Sequence, residues 1–291
     1  MSVPASQHSA SGIDSGGAIV PLAMIGGGQM ALALAEGFCR AGLLTPADIT
    51  VYDPVPAARD RLAARIPGIG LAPSAAAAVA GAGMVFLAVK PQHVVAAAAE
   101  FAAALPSGAT VVSIVAGLSM DSLQTLLGSR RIIRVMPNTP CLVGKGVSAL
   151  CRSPEVPAEA ASQAARLLGA VGSVHQVDEH LLDAVTGLSG SGPGFVALVV
   201  EALADGGVKA GLPRALALAL ATETLSGTAA LITETGEHPA QIKDRVASPG
   251  GTTIAGLAVL EQRAVRAALI DAVVAAADRA RALGQRSSAS G

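Results

Sequence analysis

The sequence predicts an α/β protein in which a doubly wound sheet is followed by an all-helical domain. In the first half of the 291 residues, short apolar runs alternate with Ala-rich helical runs. This alternation is typical of a parallel sheet covered by helices on both faces. From about residue 178 onward, helical patterns continue without a convincing strand. At about 150 residues per domain, the length also fits two domains.

The elements follow from these patterns in chain order. Strands are predicted at 18–25, 49–52, 84–89, 110–115 and 131–136, with 146–151 and 173–177 as extensions of the sheet. Helices in the first domain include 30–40 and 57–65. Those of the second are predicted at 181–188, 194–209, 214–234, 254–261 and 264–283. We therefore expect a disordered tail over 1–17, a dinucleotide-binding domain over 18–177, and a helical domain over 178–291 that opens with Asp178 as N-cap.

Charge and composition argue against several classes of partner. Lys and Arg together number 20 and Asp and Glu 21, so the formal charge is −1. Nucleic acids and anionic membranes need a clustered cationic excess, which this balance does not provide. The longest apolar stretch, 75–89, is broken by Gly81 and Gly83 and is too short to span a bilayer. We expect neither a nucleic-acid partner nor a membrane.

The cysteines and histidines show no metal-binding or disulfide pattern. Cys39, Cys141 and Cys151 form no CxxC motif, and the five histidines lack ligand-like spacing. We therefore expect no metal, and a reducing, cytoplasmic location.

The predicted helices of the second domain are rich in Ala and Leu and have little polar face. Helices that are apolar most of the way round must be buried, and about 110 residues cannot bury all of them alone. The sequence therefore predicts a homo-oligomer with a helical dimer interface.

A Gly-rich turn follows the first predicted strand at once. Gly26, Gly27, Gly28, Gln29, Met30 and Ala31 form the pattern G-x-G-x-x-G/A. The first glycine permits the tight turn, and Gly28 lets the backbone approach a pyrophosphate. A small Ala31 lets the helix pack on the strand. The position between strand and helix predicts a Rossmann-type dinucleotide site, and the alternative is a Gly-rich turn of some other α/β protein.

The second predicted strand ends at Asp53, which lies 25 residues after Gly28. An acid at this place normally accepts hydrogen bonds from the adenosine ribose and disfavours a 2′-phosphate, which leans toward NADH. Arg59 and Arg61 are able to hold a 2′-phosphate, so NADPH and NADH both stay open. The alternative interpretation is that Asp53 and Pro54 cap the next helix.

The ends of further predicted strands belong to the same rim, because ligands of open α/β sheets bind beyond the carboxyl ends of the strands. The residues expected to line the cofactor cleft there are Ala88, Val89, Lys90, Pro91, Val115 and Ala116. Lys90 would meet a phosphate or a substrate carboxylate, or is simply solvated. Asn138 stands on this rim as well, between two prolines.

Several longer motifs carry a family resemblance. They are I-G-G-G-Q-M at 25–30, A-V-K-P at 88–91, M-P-N-T-P at 136–140 and D-A-V-T-G-L-S-G-S-G-P at 183–193. The most specific are H-P-A-Q-I-K-D at 238–244 and V-A-S-P-G-G-T-T-I at 246–254. In this order, from about residue 21 to 283, they resemble the pyrroline-5-carboxylate reductase family.

The resemblance implies an activity and an assembly. The reaction would be NADPH- or NADH-dependent reduction of the cyclic imine 1-pyrroline-5-carboxylate to L-proline, the last step of proline biosynthesis. The assembly would be a dimer with interlocked helical domains, often built further into a decamer.

The resemblance also implies a substrate site. Ser248, Gly250, Gly251 and Thr252 would hold the substrate carboxylate at a helix N-terminus, where backbone N–H groups favour an anion. Thr253 would hydrogen-bond the ring nitrogen and is the candidate catalytic residue. The alternative is that Ser248 and Thr253 only cap a helix.

Three further positions are compared with the family. Glu179 matches an acidic position near the bound substrate, although an acid in a first helical turn also suits simple dipole stabilisation. Arg245 would touch the substrate carboxylate or is solvated. Ala75 stands where some relatives have an asparagine that faces the adenosine ribose.

Two other functions are compatible with a Rossmann-type domain followed by helices. A dehydrogenase of 3-hydroxy acids would use Lys-x-x-Asn on a helix of the second domain, and no asparagine follows Asn138. A non-catalytic NAD(P)-binding regulator would typically lose the substrate loop, which is intact at 248–253.

Overall fold

The computed structural model describes residues 20–289, with side-chain surroundings given up to residue 284. The strands in this range are β1 (Leu22–Ile25), β2 (Ile49–Tyr52), β3 (Gly70–Leu71), β4 (Met84–Leu87), β5 (Thr110–Ser113), β6 (Ile132–Met136), β7 (Gly146–Arg152) and β8 (Gly172–Gln176). The helices up to the end of the sheet are α1 (Gln29–Arg40), α2 (Pro56–Arg65), α3 (Ala75–Val79), α4 (Val94–Phe101), α5 (Met120–Leu127) and α6 (Ala158–Gly169). Those that follow are α7 (Leu182–Val185), α8 (Gly192–Lys209), α9 (Arg214–Thr235), α10 (Pro239–Val246), α11 (Thr252–Gln262) and α12 (Val265–Ala289).

The strands form one sheet in the order β3-β2-β1-β4-β5-β6-β7-β8. All neighbours pair in parallel except β6 and β7, which are antiparallel. The order reverses at β1, as in a doubly wound sheet. The carboxyl ends of β1, β2, β4, β5 and β6 therefore share one edge, where such sheets bind their ligands.

The apolar strands supply a core on both faces of the sheet. Because side chains alternate along a strand, Leu22 and Met24 join one buried cluster while Ala23 and Ile25 join the other. The first cluster also holds Phe38, which packs against a phenylalanine of β4 with ring centroids 5.7 Å apart. Both faces are thus covered by helices, as the apolar pattern predicts.

The sheet differs from the all-parallel expectation at one strand, β7. The connection from β6 runs over residues 137–145 and contains only the short 3₁₀ helix Thr139–Val143. A parallel pair needs a crossover of about a dozen residues or more, usually a helix, so this short connection turns the chain back. The strand predicted over 18–25 is observed from Leu22, and residues 18 and 19 lie outside the described range.

The chain divides into two compact units. The first contains the sheet, residues up to Val185 and the end of the chain from Ala280, and the second spans Thr186–Arg279. This division comes later than the predicted domain limit at residue 178 and returns the last turns of α12 to the first unit. The predicted tail over 1–17 lies outside the described residues.

The second unit consists of helices and has a small core. Its buried cluster is formed by Ala204, Ala217 and Ala221. Many large apolar side chains are exposed, with Leu188 at 64% and Leu198 at 65% of their full accessibility. Two helical stretches, Glu179–Lys209 and Arg214–Thr235, are long and apolar enough to cross a membrane by length and composition alone, a test that core helices of soluble proteins also pass.

Candidate active site

The Gly-rich turn has the geometry of a phosphate-binding turn. Gly26 has φ +103°, and its N–H donates to the Tyr52 carbonyl at 2.8 Å. A Cβ at this position would lie 2.6 Å from the carbonyl oxygen of Ala88, so β1 and β4 leave room only for glycine. Ala31 is fully buried where α1 packs on the sheet.

The N-terminus of α1 is suited to an anion. Gly28 is the N-cap, no side chain caps the helix, and its first turn carries no acid. A Cβ on Gly28 would meet no atom within 4 Å, so the space in front of the helix is open. Unpaired N–H groups and the positive end of the helix dipole favour a phosphate at such a place. The exposed Gln29 and half-buried Met30 follow directly.

Asp53 lies beside this turn, as the spacing predicts. Its Oδ2 accepts a hydrogen bond from the Gly27 N–H at 2.7 Å, and its Oδ1 accepts one from the Val55 N–H at 2.9 Å. The N-cap of α2 is Val55, and no side chain caps that helix. The alternative in which Asp53 caps α2 therefore does not describe the main contact of its carboxylate. A carboxylate has about four acceptor positions, so two remain for ribose hydroxyls.

Two arginines stand next to the same turn. Arg59 Nη1 donates to the Asp53 carbonyl at 2.5 Å, and Arg61 Nη2 donates to the Gly27 carbonyl at 3.3 Å. Arg61 is exposed, so its remaining donors face solvent. The structure thus brings together Asp53, Arg59 and Arg61, the residues for which the sequence predicts a contact with a ribose or a 2′-phosphate.

The other predicted rim residues lie at the carboxyl ends of β4 and β5. The Ala88 N–H donates to the Ile25 carbonyl at 2.8 Å, and the exposed Lys90 precedes the 3₁₀ turn Pro91–His93. Val89 packs on the core of the first unit.

The rim beyond β5 is formed by backbone more than by side chains. The Val115 side chain is buried, so this residue presents only its backbone, next to the half-buried Ala116. Asn138 is committed to the fold, because its Oδ1 accepts from the Val147 N–H at 2.8 Å and so fixes the connection between β6 and β7.

Glu179 forms a partly buried ion pair with Arg134, a pair that the sequence analysis did not predict. Its Oε1 accepts from Arg134 Nη1 at 2.6 Å and from the Met120 N–H at 2.6 Å. Arg134 lies on β6 and is only 8% exposed. A charged residue inside an apolar strand was the available signal, because buried charges are nearly always paired. The predicted substrate contact of Glu179 stays a prediction.

A cleft of about 440 Å³ adjoins Glu179 and is lined by residues of α5, the end of β7 and the end of β8. Cys151, on β7, is part of its lining, and burial raises the pKa of the Cys151 thiol to about 11. The described residues contain no group of three or more His, Cys, Asp or Glu side chains able to hold a metal ion.

The predicted substrate loop connects α10 and α11 in the second unit. Gly250 has φ +63°, and the Gly251 N–H donates to the Ser248 carbonyl at 3.0 Å. A Cβ on Gly251 would overlap the Ser248 hydroxyl. These contacts form a tight turn in which the positive φ favours a glycine at position 250, while a side chain at position 251 would displace the Ser248 hydroxyl.

The helix behind this loop begins like α1. No side chain caps α11 at its N-cap Gly251, and its first turn, with Thr252 and Thr253, contains no acid. The alternative in which Ser248 and Thr253 only cap a helix is therefore not what the structure shows. Nearby, Arg245 Nη1 pairs with Glu237 Oε1 at 3.0 Å.

Comparison with known proteins identifies the family of this chain. The family model for pyrroline-5-carboxylate reductase dimerisation matches residues 179–283, and a model for coenzyme F420-dependent NADP oxidoreductases matches 21–117. A pyrroline-5-carboxylate reductase of Synechocystis is 47% identical over 270 residues, which is 92% of this chain and 99% of that protein. The chain belongs to the pyrroline-5-carboxylate reductase family. The reductase of Arabidopsis thaliana is 44% identical over 90% of this chain and 94% of its own.

Solved structures of the family agree as well. Plasmodium falciparum pyrroline carboxylate reductase, determined with NADP bound, superposes with a TM-score of 0.84 at 31% identity. The match covers 92% of this chain and all of that one. The resemblance of the motifs and the observed fold thus identify the same family.

Proposed function

We propose that this protein reduces 1-pyrroline-5-carboxylate to L-proline with NADPH or NADH. The observation that carries the proposal is the Ser248–Thr253 loop at the uncapped N-terminus of α11. The loop lies within the region matched by the family's dimerisation model, and an uncapped helix N-terminus of this kind favours an anion, which supports the proposal. A regulator that only bound the cofactor would not need this loop.

The residues of the first unit fit a dinucleotide. The backbone N–H groups at the start of α1 would hold the pyrophosphate above Gly28, and Asp53 would accept hydrogen bonds from the adenosine ribose. Arg59 and Arg61 would neutralise a 2′-phosphate. The bound cofactor supplies the hydride. Val115 and Ala116 present backbone at the carboxyl end of β5, where we place the nicotinamide half.

The substrate is an anion, and the loop binds it as one. The Gly250 N–H, the unpaired N–H groups in the first turn of α11 and the Ser248 and Thr252 hydroxyls would hold the carboxylate, while the Gly251 N–H closes the turn by donating to the Ser248 carbonyl. A protonated pyrrolinium is already electrophilic, so positioning supplies most of the acceleration and no metal is required. Glu179 stays a candidate for a substrate contact.

Thr253 orients the ring nitrogen. It lies in the first turn of α11 and is half-buried. Its hydroxyl would hydrogen-bond the imine nitrogen and assist protonation there, while water could deliver the proton itself. We therefore assign Thr253 an orienting role before a general-acid role.

The protein acts as a homo-oligomer. The second unit exposes large apolar side chains along α8, α9, α11 and α12, more than a stable surface tolerates. A second copy of the same helices would cover them. The proposed assembly is a dimer that is extended to a decamer. The proposed location is the cytoplasm, and neither a membrane nor a nucleic acid is a proposed partner.

The test follows the absorbance of the reduced cofactor at about 340 nm with pyrroline-5-carboxylate, using NADPH and NADH in parallel. Oxidation with formation of proline is expected. Thr253→Val should lower kcat while the affinity for NADPH is unchanged, and Thr125→Val, an exposed threonine on α5, should change neither. Cofactor binding by the wild-type protein without imine-dependent oxidation would refute the proposal in favour of a regulator.

A further inference from the structure

We propose that the end of α12 and the carboxylate of Glu179 clamp the β5–α5 loop, residues 114–119, and that this clamp sets the affinity for the nicotinamide half of the cofactor. The inference rests on the cofactor placement proposed above. All the groups involved belong to the first unit, because the last turns of α12 are part of it.

The first jaw is a contact between two backbones. Gly117, in the middle of the loop, has φ +80°, and a Cβ built on it would lie 3.3 Å from the Gly284 nitrogen and 3.6 Å from the Ala280 carbonyl oxygen. A Cβ on Gly284 would overlap the Gly117 carbonyl oxygen. A side chain at position 284 would therefore push the loop and the helix apart, and one at position 117 would be strained by the positive φ and tightly packed against α12.

The glycine in α12 is otherwise unfavourable. Inside a helix, glycine is less stable than alanine, because it loses more backbone entropy on folding. Gly284 lies within the 25-residue helix α12, at the point where the loop touches it. The close approach to Gly117 gives a physical reason for a glycine there.

The second jaw holds the loop where it enters α5. Glu179 Oε1 accepts from the Met120 N–H at 2.6 Å, and Ser119 caps the helix by accepting from the Ser122 N–H at 3.1 Å. Arg134 fixes the carboxylate from β6 at 2.6 Å and is itself nine-tenths buried. Glu179 therefore cannot move without leaving a buried guanidinium without its partner.

The loop between the jaws is anchored to the sheet at its start. The Ile114 N–H donates to the Leu87 carbonyl at 3.1 Å, and the Val115 side chain is buried in the core. Residues 115–117 follow the carboxyl end of β5, where Val115 has its side chain in the core, Ala116 carries only a methyl group and Gly117 has no side chain. Their position, not their side-chain chemistry, determines what they contribute, and a shift of about 1 Å at a reacting centre is costly. Gly284 and Glu179 are positioning residues in this scheme.

The first experiment measures the loop without any ligand. Amide hydrogen exchange of peptides covering 114–120 should be faster in Gly284→Ala and in Glu179→Ala, which removes the acceptor of the Met120 N–H, than in the wild type. Gly169→Ala is the control, since Gly169 ends α6, is exposed and would place its Cβ in open space. Unchanged exchange of the loop in both variants would overturn the clamp.

The second experiment separates the two halves of the cofactor. NADPH and 2′,5′-ADP, which lacks the nicotinamide half, are titrated against each variant. Gly284→Ala should weaken NADPH by about tenfold, equivalent to ~1.4 kcal/mol, and 2′,5′-ADP by less than about twofold. Glu179→Ala should show the same selectivity, and it tests the clamp if Gly284→Ala does not fold. Equal weakening of both ligands, or of neither, would overturn the inference.

The test of the clamp can fail or succeed independently of the test of the proposed reaction. Failure of the wild-type protein to reduce the imine refutes the function and leaves the ligand titrations interpretable. If both variants keep the loop exchange rate and the NADPH affinity of the wild type, the clamp is refuted, even when the wild-type enzyme reduces the imine.

Discussion

Two glycines of the phosphate-binding turn make a matched pair for a quantitative test. Both Gly26→Ala and Gly28→Ala add one methyl group, two residues apart. At Gly26 the methyl group would meet protein, because its Cβ would lie 2.6 Å from the Ala88 carbonyl oxygen. At Gly28 it would enter open space. We therefore expect Gly26→Ala to damage the fold and Gly28→Ala to damage only cofactor binding.

The expected loss of stability in each variant follows from the backbone conformation at the substituted position. A non-glycine residue at φ +103° costs about 1–3 kcal/mol, and the Ala88 carbonyl in β4 has no room to retreat. At about 2–4 °C per kcal/mol, Gly26→Ala should lower Tm by roughly 5–10 °C. Gly28 has φ −70° and ψ −176°, which any residue adopts, so its Tm should change by less than about 3 °C. The new methyl group, however, would occupy the space for the pyrophosphate, and NADPH should bind about 100-fold more weakly.

The assay is thermal unfolding of the ligand-free variants, followed by fluorescence titration with NADPH. Wild-type affinity in Gly28→Ala would show that the phosphates do not pass over the start of α1. Equal Tm values for the two variants would refute the argument from the positive φ and the Ala88 contact.

Three further predictions concern charges and a thiol. Arg61→Ala should raise the KM for NADPH about tenfold and leave the KM for NADH unchanged, so the ratio of the two KM values measures the effect. An equal increase in both KM values would exclude a contact between Arg61 and the 2′-phosphate. Arg134→Met should lower the free energy of unfolding, measured in urea, by about 2–3 kcal/mol, because it leaves the partly buried Glu179 carboxylate without its partner. The double variant Arg134→Met/Glu179→Leu removes both charges and should lose less stability than the single variant. A single variant that is no less stable than the double variant would contradict this prediction. Burial raises the pKa of the Cys151 thiol from about 9 to about 11, so between pH 9 and pH 11 this thiol ionises in the unfolded chain but not in the folded protein, and the free energy of unfolding falls. When unfolding is measured over this pH range, the decline should be shallower in Cys151→Ala than in the wild type. Equal slopes in the two proteins would refute the prediction.

The fold was predictable where the pattern is local. The strand β2 and the helices α1, α2 and α9 lie within a residue or two of the predictions, because apolar strands and Ala-rich helices differ in their periodicity. The direction of β7 is not a local property, since it depends on a connection too short for a crossover. The two-residue strand β3 has no periodicity to recognise.

In the candidate site too, contacts between neighbouring elements were predictable from the sequence and long-range contacts were not. The contact between Asp53 and Gly27 was predictable, because β1 and β2 are neighbours and their ends meet at one edge. The contact between Arg134 and Glu179 joins residues 45 positions apart, on elements whose order in the sheet is a tertiary property. A charge within an apolar strand indicated only that some partner must exist.

The helical unit links association to the substrate site. Its buried cluster of three alanines removes little apolar surface from water, whereas side chains such as Leu198 and Ile270 are more than half exposed. Such a unit gains most of its burial from a partner, so folding and association depend on each other. The Ser248–Thr253 loop connects α10 and α11 of this same unit, so the proposed cradle is carried by helices whose apolar faces are exposed in the single chain. We therefore expect oligomerisation to be a condition for forming the proposed substrate site, and not only a means of stabilising a site that is already formed.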